Sequence, residues 1–302
     1  MKIINTCLTL GLMLALTHCQ PKTDTMKYAH LDVQGHRGSR GLLPENTIPA
    51  FIKAVELGVT TLELDLAVTK DKELLVSHDP FMSHKFSTTP EGVPIEKHEE
   101  LAYNIYKMSY EEIKTYDVGS RFQKQFPDQE LMKLHKPLLK ELIVAVNRHL
   151  EEKQLSPVRY NIEIKSEPIG DSIYHPAPAE YSQLVYDFIS KEMDTTMLNV
   201  QSFDFRILQY FHDHYPDVKL AVLVENALPI EENLANLGFT PEIYSCYYHL
   251  LDAEKVAWLQ SQGMQVIPWT VNEKEDIQRI LDWGVDGIIS DYPNRVLEFI
   301  SN

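Results

Sequence analysis

"TLELDLAVTKDKELLVSHD", residues 61–79, alternates apolar and charged side chains and then doubles back after a four-residue link, "TKDK". Residues two apart on a strand share a face, so Glu63 and Asp65 point one way while Leu62, Leu64 and Leu66 point the other. The link is too short to cross over to a parallel neighbour, which predicts that residues 73–77 run antiparallel to the end of the strand before them. This settles the strand count. The candidates are "LDVQGH", "TTLELDLAV", "ELLVSHD", "RYNIEIKS", "MLNVQSF", "VKLAVLVE", "EIYSCYY", "QVIPWTV" and "VDGIIS". With "ELLVSHD" set aside as a hairpin excursion, the remaining strands match a closed eight-stranded barrel.

Between most of these strands lie stretches with apolar spacing near 3.6, among them "TIPAFIKAVELG", "SQLVYDFISKEM", "DFRILQYFHDHY", "DAEKVAWLQSQG" and "KEDIQRILDWG". Alternating strand and helix implies a parallel sheet with crossover helices. The expected fold is α/β, a TIM-type (β/α)8 barrel with a small insertion after the second strand. An open doubly wound sheet is the alternative, but the chain has no Gly-rich phosphate fingerprint to support it. Residues 80–136 are polar, contain Pro and Gly, and have no clear period before the helix pattern "PLLKELIVAVNRHL". So long an interruption predicts an inserted subdomain or a lid.

The chain has 302 residues, 44% hydrophobic and 24% charged, with a formal net charge of -16. That length can bury a sizeable core, and the acidic balance argues against general nucleic-acid binding, which needs a basic surface. Lys2 followed by "IINTCLTLGLMLAL" reads as a secretory signal over residues 1–18. "LTHC" resembles a bacterial lipobox, although His18 stands where a small residue is usual. The expectation is an exported periplasmic or cell-surface lipoprotein of a bacterium, held at the membrane by a lipid on Cys19, with residues 19–30 as tether and 31–302 as barrel. Cys246, alone in an apolar stretch, is expected to be a small buried hydrophobe.

Charged residues inside apolar strands point to chemistry. "YNIEIKS" puts Glu163 and Lys165 on one face, as "TLELDLAV" does Glu63 and Asp65. The outward face of a barrel strand is covered by helices, so these charges point inward, where unpaired carboxylates cost several kcal/mol each. Converging Glu63, Asp65 and Glu163 suit a hard cation, Mg2+ or Ca2+. An internal ion-pair network through Lys165 is the competing reading. His36 ends the first strand, and the hairpin returns His78 to the same end, so two imidazoles flank the carboxylates and invite acid–base catalysis. Gly35 and Gly38 are expected to let the backbone approach a ligand. Arg37 can fork onto phosphate oxygens, with Glu45 orienting it, while Phe203 and Trp269 are candidates to wall the site.

"GHRGSRGLLPENTIPAF", "LELDLAVTKDKELLVSHDP", "IEIK", "VQSFD", "WTVN" and "DGIISDYP" together resemble, in this order, the glycerophosphodiester phosphodiesterases, from Gln34 to Pro293. The resemblance implies a TIM-type barrel with an insertion after the second strand. It implies His36 and His78 as the acid–base pair, and Glu63, Asp65 and Glu163 as ligands of one divalent cation. It also implies Arg37 and Lys165 as the phosphate grip with Glu45 in support, and a small-molecule phosphodiester as substrate. Two departures are visible: Lys72 stands where glycine is usual, and "KFSTTPEG" replaces a common Arg-Thr-Thr run after "HDP". The expected reaction is metal-dependent hydrolysis to glycerol 3-phosphate and an alcohol. A phospholipase D-like lyase forming a cyclic phosphate, and a non-catalytic binding lipoprotein, stand as alternatives.

Overall fold

The computed structural model describes residues 28–301; the signal, most of the tether and Cys19 lie outside them. Each strand candidate holds one strand: β1 (Asp32–Gly35), β2 (Thr61–Val68), β3 (Leu74–Val76), β4 (Arg159–Ile164), β5 (Leu198–Ser202), β6 (Lys219–Val224), β7 (Ile243–Cys246), β8 (Gln265–Val266) and β9 (Gly287–Ser290). The order is β8-β7-β6-β5-β4-β2-β1-β9, with neighbours parallel. β3 folds back on β2 antiparallel, with Leu66 opposite Val76 and Val68 opposite Leu74. The tight return carries Lys72 at φ 63, a left-handed conformation that glycine adopts without strain and lysine does not.

The barrel closes between β8 and β9 through individual backbone bonds. Asp286 N–H donates to Val266 O (3.0 Å), Ile289 to Pro268 O (3.0 Å) and Val271 to Ile289 O (3.0 Å). Pro268 has no N–H to give a ladder, which is why "QVIPWTV" yields only two residues of regular strand.

Helices α1 (Ile48–Leu57), α3 (Leu139–Lys153), α4 (Pro178–Glu192), α5 (Phe205–His214), α6 (Ile230–Leu237), α7 (Ala253–Ser261), α8 (Lys274–Asp282) and α9 (Pro293–Ser301) follow the barrel strands, with short α2 (Tyr110–Ile113) between β3 and α3. Gly58 caps α1 at φ 95 with its N–H on Ala54 O and Val55 O. The main core, including Phe51, Leu62, Leu64, Ile162, Ile164, Val200 and Phe211, fills the space between the strands' outer faces and the helices. The segment between β3 and α3 has its own small core, Met82, Phe86, Ile95, Ile105, Ile113 and Val118, packed on Ala67 and Leu75 of the hairpin. Cys246 is free and buried, and burial pushes its thiol up to about 12.

The inside of the barrel is divided. On one side Ala221, Ile243, Ile267 and Ile289 form an apolar cluster. On the other, amides replace aliphatics. Asn161 Nδ2 donates to Gln34 Oε1 (2.8 Å) and Gln201 Oε1 (3.0 Å), and Asn199 Nδ2 donates to Asn161 Oδ1 (2.6 Å). Gln201 Nε2 then donates to Glu63 Oε1 (2.8 Å). The chain of amides makes a polar floor under the carboxylates, so their desolvation is partly met by directed donors.

Candidate active site

The β2–β4 register sets Asp65 beside Glu163 and Glu63 beside Asn161, so period two delivers the acidic side chains to one interior patch. Glu63, Asp65 and Glu163 each offer a carboxylate oxygen, and these oxygens lie within 4.8 Å of one another. Glu63 Oε2 also accepts the Arg37 N–H (2.9 Å). Asp65 Oδ2 accepts from Asn46 Nδ2 (2.8 Å) and lies 3.4 Å from Arg37 Nε. Among the described residues, Asp65 Oδ1 has no hydrogen-bond partner although it is buried. Lys165 Nζ sits 2.7 Å from Glu163 Oε1 and 3.9 Å from Asp65 Oδ1.

These contacts set the charges. Burial and the neighbouring Asp65 and Glu163 push the Glu63 carboxyl well above its ordinary range. Burial raises Glu163 against the pull of Lys165. Burial would raise Asp65 too, but Arg37, His78 and Lys165 outweigh it and hold this carboxyl low. The patch therefore crowds three carboxyl groups, two of them raised by burial, around an unsatisfied Asp65 oxygen. Three oxygen donors in this state fit a hard divalent cation.

The two imidazoles are mounted alike. His36 Nδ1 lies 2.6 Å from Asp291 Oδ1 and its Nε2 is 4.0 Å from Glu63 Oε2. His78 Nδ1 lies 2.8 Å from Asp79 Oδ1. Each carboxylate fixes its ring through Nδ1 and leaves Nε2 for the mouth. Burial lowers both histidines below their ordinary value. Ser77 N–H donates to Asp65 O (2.9 Å), which ties the hairpin's return to the strand it left.

Arg37 is buried and reaches Glu45 Oε1 at 2.9 Å, while Arg40 Nε holds Glu45 Oε2 at 2.7 Å. Burial would raise Glu45, but Arg40 and Arg37 hold it down at about 2. The glycines of this turn differ from expectation. A Cβ on Gly35 would sit 2.2 Å from Gly38 O, and one on Gly38 would sit 2.6 Å from the Ala50 backbone. The close approach they permit is to the turn itself and to α1, rather than to a ligand.

A cleft of about 580 Å³ opens over the patch and is lined by His36, Arg37, Glu63, His78, Glu163, Lys165, Phe203 and Trp269, among others. It thus gathers most of the residues singled out from the sequence, with Asp65 and Glu45 buried just behind. Sequence reasoning missed Asn46, Arg40, Gln201, Asn272, Asp291 and Lys136. Asn272 Nδ2 donates to Asp291 Oδ2 (2.8 Å), and Lys136 is a buried cation whose charge acts on Glu45, Asp79 and Asp65. Asn46 and Asp291 lie in the quoted "PEN" and "DGIISDYP" runs, where a polar residue next to a strand end was the available signal.

The model of the Glycerophosphoryl diester phosphodiesterase family matches residues 36–295. The chain belongs to that family. It is 29% identical over 268 residues to a glycerophosphodiester phosphodiesterase of Caldanaerobacter subterraneus subsp. tengcongensis, covering 89% of this chain and 97% of the relative. It is 30% identical over 267 residues to one of Bacillus altitudinis, covering 87% and 95%. A solved structure from Silicibacter pomeroyi, 28% identical, superposes with a TM-score of 0.80 over 89% of this chain and 93% of that one. The family resemblance and the TIM-type barrel expected from sequence both hold.

Proposed function

We propose that the protein hydrolyses glycerophosphodiesters to glycerol phosphate and an alcohol, at the carboxylate patch and by proton transfer through His36 and His78. The observation that carries this reading is the mounting of two Nδ1-anchored imidazoles over three converging carboxylates in one cleft. Its place at the C-terminal ends of the strands is where barrels of this type carry their chemistry. Glu63, Asp65 and Glu163 would hold one divalent cation, Mg2+ or Ca2+, and when bound it supplies positive charge against the phosphate oxygens.

The chain's own residues do the rest. Lys165 and the Arg37 guanidinium line the cleft and attract the phosphate. Asp291 and Asp79 hold each ring with its proton on Nδ1, so an unprotonated Nε2 takes the proton of the attacking water as its oxygen bonds to phosphorus. The other ring, protonated at Nε2, gives its proton to the alcohol oxygen as the P–O bond breaks. Both rings are anchored for either role.

A nucleophile drawn from the substrate's own glycerol hydroxyl would instead leave a cyclic phosphate. Turnover of glycerophosphocholine in 18O-water, with and without EDTA, tests the reading. One 18O in the glycerol phosphate, formed only without EDTA, is the expected result. A cyclic phosphate free of label would establish the lyase, and no consumption at all would leave a binding protein.

Export is also proposed, on Lys2 and the apolar run "IINTCLTLGLMLAL", and acylation at Cys19 on "LTHC".

A further inference from the structure

The mouth is divided as the barrel interior is. Histidines, carboxylates and cations come from the ends of β1 to β4, while Leu223 near the end of β6, and Phe203, Glu225 and Trp269 from beyond β5, β6 and β8, line the same cleft. On β6 the inward row continues from Ala221 to Leu223 and then Glu225 by period two. Glu225 therefore stands at the rim directly above an apolar wall. It is exposed, and among the described residues no cation pairs with it.

Beside it the aromatics are fixed in place. Phe203, 39% exposed, meets Trp269 edge to face with centroids 5.5 Å apart. Tyr247 lies 5.9 Å from Trp269, and the indole N–H donates to Ser245 O at 3.1 Å. Lys165 approaches the Phe203 ring at 5.7 Å from the phosphate side, so the rings begin where the phosphate grip ends.

We infer that this half of the mouth is the subsite for the diester's alcohol and selects alcohols carrying an ammonium group, of the choline or ethanolamine kind. Aromatic faces attract a cation through their quadrupole, most of all one that sheds water easily. A carboxylate without a protein partner supplies the counter-charge. A neutral polyol gains neither interaction, and an anionic alcohol is repelled by Glu225. The inference rests on the hydrolase reading above and adds its substrate class.

The test compares kcat/KM of the cation-loaded protein on glycerophosphocholine, glycerophosphoethanolamine and glycerophosphoglycerol, for wild type, Glu225→Gln and Glu225→Lys. Wild type should prefer the ammonium diesters by about tenfold, as suits one cation against aromatic rings and a carboxylate. Glu225→Gln should shrink that ratio severalfold and Glu225→Lys should reverse it. Equal turnover of all three diesters by wild type, or a ratio untouched by both substitutions, overturns this inference and leaves the hydrolase reading standing. No turnover of any diester overturns both.

Discussion

Asp291 and His36 meet across the paired strands β9 and β1, the carboxylate Oδ1 lying 2.6 Å from the imidazole Nδ1 and joining the end of β9 to the end of β1. Asn272 holds the other oxygen at 2.8 Å and accepts the Asp291 N–H at 2.9 Å. Burial would raise the Asp291 carboxyl, but His36 and its hydrogen bond hold it well below the usual carboxylate range. It is therefore an anion fixed on a ring that must present one tautomer.

Asp291→Asn should keep the fold and lower kcat about 10- to 100-fold, the scale seen when an orienting partner is lost, with KM little changed. An unchanged kcat with lowered thermal stability would make Asp291 a structural residue only.

Much of this site was legible in the sequence because strand geometry is local. Period two alone sent Glu63, Asp65, Glu163 and Lys165 to the interior, and the short "TKDK" link returned His78 to Asp65. The carboxylates behind the histidines were not legible in the same way. Asp291 is 255 residues from His36, and only the pairing of β9 with β1 brings them together. Lys136 reads as one more lysine in a polar insertion, yet it is buried and feels the charges of Glu45, Asp79 and Asp65. Helices α6 and α9 were not read from the sequence. The glycines of "QGHRGSRG" signalled a close approach but could not say to what.

The carboxylate patch predicts how cation binding depends on pH. Glu63 and Glu163 are raised by burial, so without a cation each binds a proton more tightly folded than unfolded. Their contribution to stability is present below about pH 4.5 and is lost as pH rises through the folded values. A cation must displace those protons, so its apparent affinity rises with pH. Differential scanning calorimetry should show a larger Mg2+- or Ca2+-induced rise in Tm at about pH 8 than at about pH 5.5. A shift that is larger at the lower pH, or no shift at either, would contradict a cation site made of these carboxylates.

Glu63→Gln removes one oxygen anion and keeps one acceptor oxygen where Glu63 offers two, to the Arg37 N–H and to Gln201 Nε2. It should weaken the cation's hold, so activity falls at low Mg2+ and is partly recovered at high Mg2+. A loss of activity independent of cation concentration would assign Glu63 another role.

The proposed membrane attachment rests on Cys19. Cys19→Ala should move the protein from the membrane fraction to the soluble fraction with its kcat intact. Wild-type protein already soluble, with an unmodified mature terminus, would limit the account to secretion.

Proton transfer by His36 and His78 is the central claim, and kcat for His36→Ala and His78→Ala on glycerophosphocholine and on an aryl phosphodiester tests it most directly. Each variant should lose about 10²–10⁴-fold on the natural diester, with circular dichroism unchanged. The aryl ester's leaving group needs no proton, so it should restore the variant that lacks the acid and leave the other impaired. Near-wild-type kcat on glycerophosphocholine for either variant would contradict the account.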